Sequence, residues 1–325
     1  MQKAKRDLPR KAQIHLREAD KVEVTCIMDN YVDRLEPGGD AVCRFPFSKD
    51  GKMLPGPIAE HGFSALVKVY RDHETHSVLF DTGVSQTGVV RNIKALNINL
   101  EEVEAIILSH GHIDHSGGLL EVVKEMNRRA IPIVLHPDAF LKRWIIFPNG
   151  ERAKLAPIEE DQLKEHGAQF VRITGPYVME HGLVAVTSEV KRQIDFEIGF
   201  PFCYAEVNGQ LHEDFLIRDD QGLIVNVKNK GLVIISGCGH AGIINTVLYS
   251  QEITGIRNIL AIMGGFHLTG KTYEPTIDKT VEAIRKIQPK MLIPCHCTGW
   301  KAMHAFAKAF PESFVQNFVG TKYIF

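Results

Sequence analysis

The segment with the clearest chemical meaning is His110-Gly-His112-Ile-Asp114-His115, which directly follows the apolar run Ala105 to Ser109. His110 and His112 are two residues apart, so in an extended strand exit both imidazoles project to the same side and can bind one metal ion. Asp114 and His115 begin the next turn, from which they can reach a second ion. Three histidines and an aspartate at this spacing therefore predict a metal site rather than a set of solvated loop residues.

A second segment, Ser236-Gly-Cys238-Gly-His240-Ala-Gly242, also lies between an apolar run and a helical pattern. The thiolate of Cys238 is a soft ligand suited to zinc or iron, and it can bind one ion or bridge two. His240 lies at the start of the helix, where it serves as a ligand or as a proton donor. The alternative is a buried, inert cysteine beside a capping histidine.

A third segment, Pro294-Cys295-His296-Cys297, follows a short apolar run. Strand alternation puts His296 on the face opposite to both cysteines, so one metal ion cannot readily use all three side chains. We predict that His296 is a ligand and that Cys295 and Cys297 pack in the interior. A zinc knuckle is the competing interpretation, but nothing nearby in the sequence supplies its remaining ligands.

Four further residues are candidates for supporting roles. His267, after the glycines of Gly264-Gly265-Phe266, is placed to bind a substrate phosphate or to donate a proton, and Glu189 and His61 are weaker candidates of the same kind. Asp81 follows the apolar run Ser77 to Phe80, and its carboxylate can orient a metal-binding histidine by accepting the second ring N–H. The alternative for Asp81 is a cap of the following turn.

Basic side chains in the less regular parts of the chain are candidates for holding a phosphate. Arg143 lies in the stretch 137–182, and Lys191 and Arg192 begin the stretch 191–220. These two stretches carry no other readable motif, so we predict that they are insertions or a lid. The alternative is that the three basic side chains are simply solvated.

The elements that must position these residues alternate in type, which predicts an α/β protein. Three helical patterns of apolar residues lie within 119–126, 243–248 and 277–287. Short β-branched runs typical of strands cover Val22 to Met28, Ser64 to Tyr70, Ser77 to Phe80, Ala105 to Ser109, Ile133 to His136, Leu183 to Thr187, Leu232 to Ser236, Ile259 to Met263 and Met291 to Pro294.

Residues 105–126 and 232–253 share one plan, in which an apolar strand leads through a turn rich in glycine and histidine into a helix. This weak internal echo favours two half-domains that bring their turns together at one site. We therefore predict an N-terminal extension, 1–20, followed by a single domain of two halves, 21–325, with insertions near 137–182 and 191–220.

Composition excludes several classes of function. The 325 residues contain 38 basic and 39 acidic side chains, a balance that argues against a nucleic-acid surface built on bulk positive charge. The apolar runs are strand-length, far short of the roughly 20 residues of a membrane helix, so no membrane partner is expected. Six cysteines are too few for a disulfide scaffold, and the basic start lacks the apolar core of a signal peptide, so we expect a cytoplasmic protein with a small-molecule substrate.

The His-x-His-x-Asp-His pattern, with Phe80-Asp81-Thr82-Gly83 before it, resembles the metallo-β-lactamase fold superfamily. The resemblance covers the chain from about residue 21 and implies an αβ/βα four-layer sandwich with a dinuclear metal site between its halves. The wider set EHGFS, FDTG, SHGHIDHSGGL, SGCGHAGIINT, GGFHL and PCHCTG resembles the branch of 7,8-dihydropterin-6-methyl-4-(β-D-ribofuranosyl)aminobenzene-5′-phosphate synthase-like proteins.

The resemblance implies roles residue by residue. The ligands of the first metal ion would include His110 and His112, and those of the second would be Asp114, His115 and His296. Two positions depart from the superfamily pattern: Cys238 stands where the bridging aspartate is usual, and Glu189 is the residue available where a third histidine is usual. Two divalent ions are expected, with zinc favoured over iron or manganese.

The activity implied is metal-assisted chemistry at a phosphate or diphosphate ester. In the branch reaction a pterin diphosphate is joined to an aminobenzene ribofuranosyl phosphate and diphosphate is released. Asp114 would act as ligand and proton acceptor, His240 or His267 as acid to the leaving group, and His61, Arg143, Arg192 and His267 would bind substrate. One alternative is a hydrolase, a phosphodiesterase or lactonase, with metal-bound water as nucleophile. A second alternative is a non-catalytic metal-binding sensor or redox module.

Overall fold

The computed structural model describes residues 13–325. Its helices are α1 (Gly88–Ala95), α2 (Ile113–Ser116), α3 (Leu119–Met126), α4 (Glu160–Glu165), α5 (Ile243–Thr254), α6 (Ile277–Ile287) and α7 (Trp300–Ala309). Its strands are β1 (Glu18–Ala19), β2 (Lys21–Met28), β3 (Val42–Cys43), β4 (Ser48–Lys49), β5 (Lys52–Met53), β6 (Ser64–Arg71), β7 (Glu74–Phe80), β8 (Ala105–Ile107), β9 (Ile131–Leu135), β10 (Lys142–Ile146), β11 (Arg152–Lys154), β12 (Ala168–Arg172), β13 (Tyr177–Val178), β14 (Val184–Val186), β15 (Cys203–Val207), β16 (Gln210–Glu213), β17 (Gly222–Val227), β18 (Gly231–Ser236), β19 (Ile259–Gly265), β20 (Met291–Cys295) and β21 (Lys322–Ile324).

Two large mixed sheets organise the fold. The first has the strand order β12-β9-β8-β7-β6-β2-β21-β3, and the second has the order β13-β14-β17-β18-β19-β20, with β1 paired to β17. In the first sheet β7, β8, β9 and β12 run parallel, and in the second β18, β19 and β20 do. Parallel strands end at the same edge of a sheet, so the turns that follow them are brought together there.

The sheets pack face to face and helices cover both outer faces. The inner core joins Val24 and Val67 of the first sheet to Val225 and Val233 of the second. The outer face of the first sheet packs against α1 and α3, and that of the second packs against α5, α6 and α7. This layering confirms the predicted αβ/βα four-layer sandwich.

Burial on both faces explains why the sequences of the central strands are continuous apolar runs. Every residue of β17 and β18 is buried, as expected for strands covered on both sides. The nine predicted strands and three predicted helices are all present. However, β17, which lies in the middle of the second sheet, is not among the predicted strands, because its Leu-Ile-Val-Asn-Val run comes directly after the polar residues 218–221, at the end of the predicted insertion 191–220.

Only part of the two predicted insertions, 137–182 and 191–220, lies outside the two main sheets. Strands β10, β11, β15 and β16 form a separate antiparallel sheet in the order β11-β10-β15-β16. In contrast, β12 from the stretch 137–182 is the edge strand of the first sheet, paired in parallel with β9. The period-2 pattern of β12 is obscured by its exposed Gln169 and Arg172.

The predicted N-terminal extension, 1–20, also needs correction. Residues 1–12 lie outside the described part of the chain, but the residues that follow join the domain. The N–H of Ile14 donates to the carbonyl of Ile253, and β1 pairs with β17. Within residues 13–325, no helix is both long enough and apolar enough to cross a bilayer.

Candidate metal centre

The predicted metal-binding residues meet at one edge of the sandwich. His110 follows β8 of the first sheet, whereas Cys238, His267 and His296 follow β18, β19 and β20 of the second. Because each of these strands ends at that edge, the site draws on both halves of the domain. The structure therefore brings together segments separated by more than a hundred residues in sequence.

One ligand set consists of His110, His112 and His240, whose ligand atoms lie within 4.8 Å of one another. The three rings are nearly perpendicular, with interplanar angles of 72°, 77° and 80° and centroids 4.5–4.9 Å apart. Lone pairs lie in the ring planes, so perpendicular rings can direct three of them at a common point. His110 Nε2 is buried and has no hydrogen-bond partner, as expected of an atom reserved for a metal ion.

Electrostatics keep this set in the form that binds metals. Burial, followed by the neighbouring positive groups, lowers the pKa of His112 to about 3 and holds the pKa of His110 and His240 well below the usual range. The three imidazoles are therefore neutral at pH 7. A neutral imidazole has one nitrogen with a free lone pair, which is the metal-binding form.

A second set consists of Asp114, His115, Cys238 and His296. His115 Nε2 lies 3.3 Å from Cys238 Sγ and 3.2 Å from His296 Nε2, and His296 Nε2 lies 3.2 Å from Asp114 Oδ2. Four ligand atoms of nitrogen, oxygen and sulfur in one cluster match the donors that zinc takes in proteins. The residues present therefore fit a metal ion in each set.

Cys238 lies between the two sets. Its sulfur also falls within 4.8 Å of ligand atoms of His240 and His267, so one sulfur atom is near both candidate ion positions. The ring of His267 lies 4.3 Å from that of His240, and Phe200 stacks on His240 at 5.3 Å. His267 thus stands beside the ligands, at a left-handed backbone position with φ of 46°.

Asp81 supports the second set, in the geometry expected of it. Its Oδ2 lies 2.6 Å from His115 Nδ1, and its Oδ1 accepts the N–H of Ser109 at 2.7 Å. Burial by itself lowers the pKa of His115, but the carboxylates of Asp114 and Asp81 outweigh burial and raise it to about 9. The Asp81 contact fixes the ring so that Nε2 faces the other ligands.

Three more buried aspartates hold the turns that carry ligands. Asp219 Oδ2 accepts the N–H of Gly111 at 2.8 Å, Asp220 Oδ2 accepts that of Ala241 at 2.7 Å, and Asp29 Oδ1 accepts that of His296 at 2.8 Å. Sequence reasoning missed all three. The adjacent pair Asp219-Asp220 just before an apolar run was the only signal, and a pair of acidic residues is usually exposed.

Gly111 is required by a close backbone approach. A Cβ on Gly111 would lie 2.1 Å from the carbonyl oxygen of Ala139, far inside any real contact. The turn between His110 and His112 therefore packs directly against the chain after β9.

The site is open on the side of His61. The side chain of His61 is 66% exposed and that of Asp114 is 18% exposed, whereas the other ligands are buried. The His61 ring lies 5.0 Å from that of His296, and its Nε2 lies 3.9 Å from Asp114 Oδ2. Partial burial and the charge of His296 lower the pKa of His61, so this exposed imidazole is neutral at pH 7.

Three predicted residues do not reach the site in their predicted roles. Glu189 is exposed, with its carboxylate 3.9 Å from Arg218, and lies outside both ligand sets, where His240 completes the first. Arg143 is buried and bound to Asp214 and Asp219, so its guanidinium is engaged within the protein and out of reach of a substrate phosphate. Arg192 donates to the backbone carbonyls of Glu197, Leu216, His240 and Ala241, which engages its guanidinium within the protein.

The two cysteines beside His296 are buried, as expected. Cys295 belongs to the core between the sheets. Cys297 lies closer to the site, and its thiol donates to the backbone carbonyl of Cys238 at 3.1 Å.

Another cluster of metal-type residues, His76, Glu104 and His181, lies on the surface and has a different geometry. The two rings are stacked at 4.3 Å with an interplanar angle of 18°, so their lone pairs run parallel instead of converging. His181 Nδ1 also accepts the N–H of Leu183, which leaves the ring proton on Nε2. This cluster therefore lacks the convergent lone pairs found at the sheet edge.

Comparison with known proteins agrees with this geometry. Residues 59–192 match the family described as the Metallo-beta-lactamase superfamily. The 7,8-dihydropterin-6-methyl-4-(beta-D-ribofuranosyl)-aminobenzene-5′-phosphate synthase of Methanocaldococcus jannaschii is 35% identical over 268 residues, 81% of this chain and 89% of that protein. An uncharacterized protein of the same organism is 32% identical over 268 residues, 81% of this chain and 93% of its own.

Among solved structures, that of Tm1679, a metal-dependent hydrolase of the beta-lactamase superfamily, is similar with a TM-score of 0.70 and 25% identity. The match covers 93% of this chain and 98% of that one. Fold, ligand geometry and sequence similarity agree: the chain belongs to the metallo-β-lactamase superfamily, in the branch of 7,8-dihydropterin-6-methyl-4-(β-D-ribofuranosyl)aminobenzene-5′-phosphate synthase-like proteins.

Proposed function

We propose that this protein is a dinuclear metalloenzyme, most simply a di-zinc enzyme, that transfers a dihydropterin group from its diphosphate ester to an arylamine compound and releases diphosphate. The observation that carries the proposal is the pair of adjoining ligand sets, with Cys238 between them and one open side. Iron and manganese are the alternative metals. The substrate class comes from the relative that is 35% identical along most of the chain.

The two ions would be held by His110, His112 and His240 on one side and by Asp114, His115, Cys238 and His296 on the other. When bound, divalent ions neutralise the negative charge of phosphate oxygens, so they favour both binding of the diphosphate and its departure. This assignment makes His240 a ligand rather than the acid expected from sequence. Asp114 remains a ligand, with its carboxylate at the open side.

His61 is the residue placed to move a proton. The proposed reaction joins the nucleophilic ring carbon or amine to the pterin methylene carbon, breaks the bond from that methylene to the diphosphate oxygen, and frees one proton from the nucleophile. A neutral, exposed imidazole at the open side accepts that proton directly. Its position above His296 and near Asp114 keeps it within reach of a substrate bound at the ions.

His267 is the candidate for contact with the diphosphate. It is adjacent to His240, and its Nδ1 has no hydrogen-bond partner. A ring nitrogen at that position can donate to an anionic oxygen of the leaving group. Phe200 stacks on His240 and its ring also contacts that of His267, so it forms an apolar wall on this part of the site.

A hydrolase acting on a phosphate ester or lactone is the second candidate, favoured by the similarity to the metal-dependent hydrolase structure. The two functions differ in the nucleophile. We expect diphosphate release from the dihydropterin diphosphate to require the aminobenzene ribofuranosyl phosphate, with both consumed in equal amounts. Equal release without that second substrate, or turnover of bis-p-nitrophenyl phosphate or lactones in its place, would identify a hydrolase.

Two variants and one metal measurement complete the test. His112→Ala should abolish turnover and lower the zinc content, whereas the control His304→Ala removes an exposed histidine on α7 and should change neither. Protein that retains less than about 0.2 ion per chain after reconstitution would refute a metalloenzyme of any kind.

A further inference from the structure

Asp220 is a buried carboxylate that the proposed reaction does not use. It lies in the loop just before β17 and is 2% exposed. Its Oδ2 accepts the N–H of Ala241, the residue directly after His240, while its Oδ1 is buried without a hydrogen-bond partner. The carboxylate therefore contacts the turn that carries Cys238 and His240, and one of its two oxygens accepts no hydrogen bond.

No basic nitrogen in the described part of the chain comes within 4.0 Å of this carboxylate. The neighbouring Asp219 is different, because Arg143 binds both of its oxygens. The guanidinium of Arg192 donates to backbone carbonyls, so its electrostatic interaction with the Asp220 carboxylate is a longer-range one without a hydrogen bond. Burial without a counter-ion disfavours the charged form and raises the pKa of Asp220 to about 7, so the metal-free fold keeps this carboxylate at a cost.

The metal centre provides the missing positive charge. Two divalent ions would bring more positive charge than Asp114 and a Cys238 thiolate would offset, because imidazoles bound to them would be neutral. Negative charge next to the ligands lowers the free energy of the loaded site, and a carboxylate bound to a ligand-bearing turn also fixes the ligands.

We infer that Asp220 is a positioning residue of the metal centre, which holds the Cys238–His240 turn through Ala241 and compensates the charge of the bound ions. This inference concerns metal affinity and holds for either candidate function. It predicts that the negative charge of Asp220 contributes to stability only when the metal ions are bound, whereas its hydrogen bond to Ala241 contributes in either state.

Asp220→Asn separates the two parts of the role. The amide oxygen still accepts the N–H of Ala241, so the turn keeps its hydrogen bond while the charge is lost. We expect the zinc dissociation constant, measured by competition with a chelating dye, to rise ten- to a hundredfold. The thermal midpoint of the metal-free protein should not fall, because the charge that is removed is uncompensated there, and the increase in midpoint on adding zinc should shrink.

Asp20→Asn is the control, because Asp20 also accepts a backbone N–H, that of Asp72 in the hairpin between β6 and β7, at the opposite end of β7 from Asp81 and the ligand turns. Its zinc dissociation constant should equal that of the wild type. Asp220→Ala, which removes charge and acceptor together, should lose zinc affinity at least as strongly and lower the metal-free midpoint as well. Wild-type zinc affinity in Asp220→Asn or in Asp220→Ala overturns the inference. So does an equal fall of the metal-free and zinc-loaded midpoints in Asp220→Asn, since that result is what a purely structural role produces.

Discussion

Arg143 offers the sharpest test of how the structure revises the sequence interpretation. As a phosphate-binding residue it would affect substrate affinity and leave stability alone. In the structure its Nε donates to Asp214 at 2.7 Å, and its two terminal nitrogens donate to the two oxygens of Asp219 at 2.5 and 3.0 Å. The side chain is 1% exposed, so these are buried ion pairs.

We therefore expect Arg143→Met to destabilise the protein severely. Methionine replaces the volume of the aliphatic stem but leaves Asp214 and Asp219 without a counter-ion. Removing one partner of a buried ion pair costs about 3–5 kcal/mol, and the charge-assisted hydrogen bonds lost here fall within that total. Asp219 also holds the N–H of Gly111, so the turn between His110 and His112 should loosen and zinc affinity should fall.

The free energy of unfolding is measured in urea on metal-free wild type, Arg143→Met, Asp219→Asn and the double variant. Because the two residues are in contact, the double variant should be more stable than additivity predicts, by about 0.5–3 kcal/mol. The reasoning is refuted if Arg143→Met unfolds at the wild-type urea concentration and shows only a raised KM for its phosphorylated substrate.

Three other predictions follow from the structure. Gly111→Ala should prevent zinc binding, because its Cβ would clash with the Ala139 carbonyl, whereas Gly175→Ala, with nothing within 4 Å, should bind zinc normally; equal zinc content in the two variants would contradict the packing argument. Burial raises the pKa of Glu197 to about 7, so the folded protein retains a proton there that the unfolded chain loses near pH 4.5. Stability should therefore fall by about 3 kcal/mol as the pH rises from 4.5 to 7, and Glu197→Gln should remove this slope in urea titrations; parallel pH profiles would refute the assignment. Tyr323→Phe should cost about 1 kcal/mol in unfolding free energy, because the buried hydroxyl donates to Asn317 at 2.8 Å; an unchanged urea midpoint would show that this hydrogen bond contributes nothing.

Local pattern was sufficient for most of the fold. Strands such as β18 and helices such as α6 follow from apolar periodicity, and the alternation of the two predicts an α/β sandwich. Apolar periodicity did not predict a strand where tertiary contacts, and not local preference, determine the residue types around it. Strand β17 is not predicted because the polar residues 218–221 directly precede it. Two of these residues, Asp219 and Asp220, accept hydrogen bonds from the turns of the metal centre, which is a tertiary role.

The sequence by itself determined the ligand motif. His110, His112, Asp114 and His115 lie within six residues, so their spacing alone places them on one turn, and Cys238 and His296 each follow a recognisable strand. Those assignments depend only on local backbone geometry, which the sequence of a short segment largely determines.

Only the tertiary structure decided the rest of the site. His240 rather than Glu189 lies beside His110 and His112, Arg143 is bound inside the protein, and His61 stands at the open side. Each of these facts depends on which strand ends meet at the sheet edge and which side chains the packing leaves buried. Contacts between residues far apart in sequence leave no periodic trace in a single chain, and so the physical role of a lone histidine, arginine or glutamate was fixed only by its neighbours in space.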